Sequence, residues 1–174
     1  MSPDYRAPEQ LDGHHDLSGF ECRSREQTEW LRRYARQSAS GGTTRVFVVT
    51  EEGSDVVVAY YAWCIAQLAV EAAPARLRKG AGRYPQPVAL LARLGVDVGH
   101  EGQGLGAGLL QDVFGRLHGL SDDIGCRALL IHAESADARG FYMHLVPEFE
   151  ASPTDELYLV LLMKDIRRTL GGSP

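Results

Sequence analysis

The chain has 174 residues, 44% of them hydrophobic and 24% charged, with a formal net charge of −5. This composition excludes a low-complexity or disordered chain and fits one soluble domain whose core needs no staples. Three cysteines, Cys22, Cys64 and Cys126, show no paired spacing, so neither a disulfide framework nor a zinc site is expected. The polar, acidic start carries no signal-peptide core and no run approaches membrane-spanning length, so the expected compartment is the cytoplasm.

Met1–Gly19 is rich in proline, glycine and charge and reads as an irregular arm. His14 and His15 are adjacent, which does not place two ligands on one helix face; they read as surface or loop residues. Arg23–Ser38 reads as a helix capped by Ser24 or Thr28, with Trp30, Leu31, Tyr34 and Ala35 as its buried stripe and Arg32, Arg33 and Arg36 facing elsewhere. Gly41-Gly42 ends it. Arg45–Thr50 and Val56–Ala66 are rich in β-branched and aromatic residues and form a hairpin about the turn Glu51–Asp55.

Val70–Pro87 breaks this pattern with prolines and glycines that forbid a continuous element. It concentrates Arg76, Arg78, Lys79 and Arg83. Basic residues prevail from Arg23 to Arg93 and acidic ones from Asp97 to Asp165, a polarity that suits an anionic partner on one face and equally suits solvated helix faces.

Val88–Leu120 organises the rest. Val88–Val98 is a largely apolar strand interrupted by Arg93 and Asp97. Gly102, Gly104, Gly106 and Gly108 follow, and Leu109, Leu110, Val113, Phe114 and Leu117 then recur at helical spacing. The first turn of a helix carries unpaired N–H groups and a partial positive charge, and glycines let an anion approach them. A strand, a glycine loop and a helix in that order make a diphosphate site. The loop has no lysine, which excludes a P-loop. Gly102-Gln-Gly104-Leu-Gly106-Ala107 satisfies a relaxed dinucleotide fingerprint, but Asp97–Glu101 separate it from the strand and too little chain remains for a doubly wound sheet.

Gly125–Ala133 is a further buried strand, expected to pair in parallel with the central one through a right-handed crossover. Ser135 is a natural N-cap, Asp137 suits the first helical turn, and Ala138, Phe141, Tyr142 and Leu145 form an inner face that Pro147 ends. Leu157–Met163 is the last strand, followed by a charged tail ending in Gly171-Gly172. The order predicts a mixed α/β sheet with helices on both faces in a single domain, residues 1–174.

Gln103–Gly108 matches Q/R-x-x-G-x-G/A and so resembles the pyrophosphate loop of the GNAT superfamily of acetyl-CoA-dependent N-acetyltransferases. Further strings resemble the GNAT toxins of bacterial toxin–antitoxin pairs. These are Phe20-Glu21-Cys22 with Glu29–Ala35, Pro87–Asp97, Ile131-His132-Ala133 with Ala138–Tyr142, and Ala151-Ser152-Pro153. The resemblance implies acetylation of the α-amino group of aminoacyl-tRNA, blocking translation, and silencing by a ribbon-helix-helix antitoxin; the family often forms homodimers. It also gives the backbone of Leu94 to Val96 to the pantetheine and acetyl group, and the N–H groups of Gln103, Gly104, Leu105, Gly106, Ala107 and Gly108 to the diphosphate. Tyr142 would be the general acid for the departing thiolate, and the basic loop would meet tRNA phosphates. His132 and Asp97 are weak candidates for the base. Two alternatives stay open: an acetyltransferase for a small amine or protein N-terminus, and a regulatory binding module with a vestigial coenzyme site. The family's F-Y-x-x-x-G-F turn is replaced here by a longer Phe141–Phe149 segment without the glycine.

Overall fold

The computed structural model describes residues 3–171. Among them run β1 (Glu9–Gln10), α1 (Arg25–Arg33), α2 (Ala35–Ser40), β2 (Arg45–Thr50), β3 (Val57–Leu68), α3 (Ala75–Arg78) and β4 (Gln86–Val96). Then follow α4 (Leu105–Leu120), β5 (Ala128–His132), α5 (Ala136–Leu145), β6 (Glu150–Ala151), β7 (Tyr158–Leu162) and α6 (Met163–Gly171). The strands form one mixed seven-stranded sheet in the order β1-β2-β3-β4-β5-β7-β6. No helix among the described residues is long and apolar enough to cross a membrane. The chain divides into two compact units, one comprising the residues up to Cys64 with Ala92–Asp112, the other Ile65–Leu91 with the residues from Val113 on.

In the first unit the hairpin forms as its β-branched pattern predicts, with Arg45 opposite Trp63 and Val49 opposite Ala59. The amino-terminal arm is more ordered than its composition suggests. Glu9 and Gln10 add an antiparallel strand against Val48 and Phe47, and isolated bridges join Tyr5 to Glu51 and Asp16 to Val56. His15, expected at the surface, is buried at 3% exposure. Such short pairing leaves almost no periodic signal for a sequence reading to find.

The helix expected over Arg23–Ser38 is broken at Tyr34, whose φ of −118° ends α1 and precedes α2. Ser24 is the N-cap, its hydroxyl accepting from the Gln27 N–H at 3.1 Å. Tyr34 is 54% exposed rather than part of the buried stripe, because the break turns it away from Leu31 and Ala35. Leu17, Phe20, Leu31, Ala35, Val46, Val48 and Tyr60 build the core, with Trp30 packed against it. Arg93, which interrupts an apolar strand, lies 5.5 Å from the centre of the Trp30 ring and pairs with Glu26 at 2.8 Å.

The second unit is built on the parallel β4–β5 ladder, Val88 opposite Ala128 through Leu91 opposite Ile131. β7 pairs antiparallel with β5. The Val70–Pro87 segment is not wholly irregular: a 3₁₀ turn at Val70–Ala72 and the short α3 bury Ala73 and Leu77 completely. Pro74 serves as the N-cap of α3, a place where its missing N–H costs nothing. Ser135 caps α5, accepting from Ala138 N–H at 3.1 Å. Phe141, expected on the inner face of α5, is 38% exposed, and the inner face continues through Tyr142 to Val146 and Phe149. The expected charged tail is the helix α6, which buries Met163 and Ile166 on one face and turns Lys164, Arg167 and Arg168 outward. Gly172 lies outside the described residues.

Gly95 is the tightest point of the first unit. A Cβ there would sit 3.1 Å from the Tyr60 ring, 3.3 Å from Cys22 Sγ and 3.4 Å from the Phe20 ring. All three neighbours are buried, so none can yield without disturbing others. Gly95→Ala is therefore expected to destabilise by about 1–3 kcal/mol, the usual cost of overpacking, measured as a lower denaturation midpoint in urea with an unchanged slope.

Candidate active site

β4 runs past its last register pair with β5, at Leu91, and continues to Val96. Leu94 and Val96 stand on this extension, both half-buried. The strand ends where the main chain is tied down on two sides: Asp97 N–H donates to Val58 O at 2.8 Å, and Val98 N–H to Glu21 O at 2.8 Å. The Asp97 carboxylate then accepts from Gly99 N–H at 2.8 Å and from Glu21 N–H at 3.0 Å. Asp97, a weak candidate for the base, thus has both oxygens committed to holding the turn.

From that turn the chain enters the glycine loop. Gly102 and Gly104 have φ of +76° and +80°, left-handed conformations that strain any residue with a Cβ. α4 begins at Leu105. The N–H of Gly108 donates to Gly104 O at 3.0 Å and so belongs to the helix, a correction to its expected part in the cradle. The N–H groups of Leu105, Gly106 and Ala107 precede the first residue that can find an acceptor within the helix. They point outward at the positive end of a 16-residue dipole. A Cβ at Gly102, Gly104 or Gly108 would meet nothing within 4 Å, so the open side of the loop has room for a bulky anion. Leu94, Val96 and Gln103–Gly108 are thus all in the first unit.

Three supports of this loop carry no sequence signal, because their partners are far apart in the chain. Arg23 grips Glu101 through two bonds of 2.8 and 2.9 Å. The Tyr5 hydroxyl meets His100 Nδ1 at 2.8 Å, and His100 Nε2 lies 3.4 Å from Glu51. Tyr61 donates to Asp112 at 2.6 Å, which anchors α4 about two turns beyond its start at Leu105.

Tyr142 lies in the second unit, buried at 7% exposure on α5. Its ring sits between Phe141 and Phe149, with centroids 5.2 and 6.3 Å away. Burial, assisted by the charge of Glu134, raises the phenol pKa well above its ordinary value of 10.0. The hydroxyl therefore keeps its proton at every physiological pH. His132, at the end of β5, stacks on Tyr158 at 4.2 Å.

The four basic residues of the segment after β3 do not act alike. Arg76 donates to both oxygens of Asp165 at 2.9 and 3.3 Å and to Glu150 at 2.9 Å. Asp165 is buried, its side chain 1% exposed, so Arg76 balances an interior charge and is a structural residue first. Arg78, Lys79 and Arg83 are exposed beside Tyr84, which is 78% exposed.

No protein-family model matches the chain. It is 41% identical over 167 residues to a tRNA-acetylating toxin of Mycobacterium tuberculosis, covering 96% of this chain and 98% of that protein. Among solved structures it is similar to AtaT complexed with acetyl-methionyl-tRNAfMet, with a TM-score of 0.86 and 23% identity, covering 96% of this chain and 99% of that one. It is also similar to a tyrosine-to-phenylalanine variant of AtaT bound to the C-terminus of the antitoxin AtaR and acetyl-CoA, with a TM-score of 0.80 and 22% identity, covering 97% and 99%.

Two measurements follow from the geometry. Arg76→Ala should lower the thermal midpoint by leaving the Asp165 charge without its main partner, whereas Arg78→Ala should leave it unchanged; equal midpoints in the two variants would contradict the structural assignment of Arg76. For Tyr142 the folded pKa is the raised one, so its contribution to stability is complete below the unfolded value near 10 and lost as pH rises beyond it. Wild type should therefore lose stability faster than Tyr142→Phe between about pH 10 and pH 12, followed by urea midpoints across that range.

Proposed function

Because the chain belongs to the GNAT-type acetyltransferase toxins, we propose that it moves the acetyl group of acetyl-CoA to the α-amino group of aminoacyl-tRNA and so stops translation. The observation that carries the reading is the start of α4, where glycine-lined N–H groups open onto clear space at the positive end of a helix. Chemically this suits a diphosphate, and acetyl-CoA presents one. Leu94 to Val96 hold the pantetheine arm through strand-like main-chain bonds; Gln103 to Ala107 hold the diphosphate, and Gly108 contributes the absence of a side chain. The 174 residues act as one acetyltransferase domain in the cytoplasm, silenced by an antitoxin of the ribbon-helix-helix kind, with a homodimer as the working form.

In the transfer step the neutral amine of the aminoacyl ester attacks the thioester carbonyl carbon. An N–C bond forms, the C–S bond breaks, and the amine gives up a proton to water. Tyr142 donates its phenolic proton to the departing sulfur and is reprotonated from solvent. A phenol already holds its proton at neutral pH at its ordinary pKa near 10, so Tyr142 has a proton to give as negative charge develops on the sulfur. An aminoacyl ester amine is less basic than lysine and reaches its neutral form near pH 7 without a strong base, which agrees with Asp97 being committed to the turn. Arg78, Lys79 and Arg83 meet phosphates of the tRNA.

Tyr142→Phe keeps the ring and removes the proton. It should reduce kcat for charged tRNA by about 10²-fold or more while leaving the KM for acetyl-CoA within a factor of about two. Wild-type kcat in that variant would remove Tyr142 from the chemistry. Replacing Arg78, Lys79 and Arg83 together by alanine should instead raise KM for tRNA and flatten its dependence on salt, with kcat retained.

A further inference from the structure

The segment between β3 and β4, in the second unit, carries an aromatic side chain that the transfer step leaves unused. Tyr84 is 78% exposed. Among the described residues its ring makes no aromatic contact and its hydroxyl no hydrogen bond. It stands next to Arg83 in the chain and a few residues after Arg78 and Lys79, all exposed. None of these cations has a carboxylate partner among the described residues. Arg76, by contrast, is already tied to Asp165 and Glu150.

The loop that carries the ring is held from beneath. Leu77 is fully buried and joins α3 to the core of Leu68, Val88 and Leu130. Gly80 and Gly82 then take left-handed φ of +82° and +65°, which turns the chain back within a few residues. Ala81 N–H donates to Arg78 O at 2.9 Å. Gln86 is 4% exposed, and its amide closes the loop. Its Oε1 accepts from the Arg127 guanidinium, a donor only, so Nε2 must face the carbonyls. It donates to Tyr84 O at 2.9 Å and, more weakly, to Ala81 O at 3.4 Å. Arg127 also donates to Leu77 O at 2.8 Å and to Lys79 O at 3.3 Å, so its charge is turned onto the main chain under the loop. The backbone at Tyr84 is fixed while its ring stays in solvent.

Cations interleaved with a held aromatic ring suit single-stranded nucleic acid: the cations follow the phosphates and the ring takes a base. A base inside a duplex has both faces covered by its neighbours, so a side chain can stack only on one that is unpaired. Resting on the reading of the substrate as aminoacyl-tRNA, we propose that Tyr84 is a stacking platform for an unpaired base at the 3′ end of that tRNA. Arg78, Lys79 and Arg83 hold the phosphates around it. The reacting amine belongs to the amino acid esterified to that same end. It is therefore the single-stranded stretch that must lie against the enzyme during transfer.

The test is a binding cycle on the full-length protein, read by fluorescence anisotropy. The probe is labelled uncharged tRNA, either intact or trimmed of its unpaired 3′ end. Tyr84→Ala should weaken binding of intact tRNA by about 5- to 100-fold, the usual loss of one stacked base. Trimming should weaken binding to the wild type by at least as much, yet should cost Tyr84→Ala far less, because the stacked base is then already lost. Tyr84→Phe keeps the ring and should keep wild-type affinity. Stacking releases no counterions, so the salt dependence should have the same slope in Tyr84→Ala as in the wild type. Wild-type affinity in Tyr84→Ala, or losses that add in full, would overturn the proposal and leave the transfer reading standing. A Tyr84→Ala protein with altered mass in light scattering and undiminished affinity for tRNA would overturn it too, giving the ring to a second copy of the chain. A wild type that binds no tRNA at all would remove both readings together.

Discussion

A helix cannot satisfy the N–H groups of its own first turn, and the first unit is arranged around where that deficit falls. At the start of α4 the unpaired groups of Leu105, Gly106 and Ala107 are left without side chains in front of them, since Gly102, Gly104 and Gly108 keep the approach open. An aqueous loop of this kind would be flexible and would lose affinity for a diphosphate to the entropy of ordering it. Here the ordering is done in advance. Asp97 closes the turn before the loop, Arg23 grips Glu101 within it, Tyr5 holds His100, and Tyr61 anchors α4 at Asp112. Each bond is modest, but together they act along one stretch from Asp97 to Asp112, so the N–H groups face a fixed direction.

Tyr142 illustrates a second constraint, that packing changes the acidity of a polar group. Its ring is buried between Phe141 and Phe149. That burial raises the pKa of the hydroxyl, so the phenol keeps its proton at neutral pH. Arg76 shows the opposite case. It reads as one of four equivalent phosphate contacts, yet its two bonds to buried Asp165 give it a structural task. Charge in a sequence does not reveal which charges are already answered.

The long elements were legible because their periodicity is strong. The hairpin Arg45–Thr50 with Val57–Leu68, the parallel pair around Val88 and Ala128, and the stripe Leu109 to Leu117 on α4 all appear where their patterns place them. So does the Ser135 cap, which depends only on neighbours in the chain. The glycine loop was legible for the same reason, its chemistry being main-chain. What escaped depends on distant partners. β1 and β6 are two residues each and exist because an edge of the sheet accepts them. The ion pairs of Arg23 and Arg76 rest on groups dozens of residues away, and neither the break at Tyr34 nor the burial of His15 has a periodic signature. Helix α6 was hidden by its charge, because a narrow apolar stripe of Met163 and Ile166 suffices to dock it.

The central claim is that the acetyl group goes to the amine of an amino acid esterified to tRNA. Radiolabelled acetyl-CoA should be incubated with the protein and total aminoacyl-tRNA, beside uncharged tRNA and simple polyamines. The account predicts label on charged tRNA alone, released as N-acetylamino acid when the ester is cleaved by mild base. Label on polyamines or a protein amine, with none on charged tRNA, would contradict it while leaving the acetyltransferase fold in place.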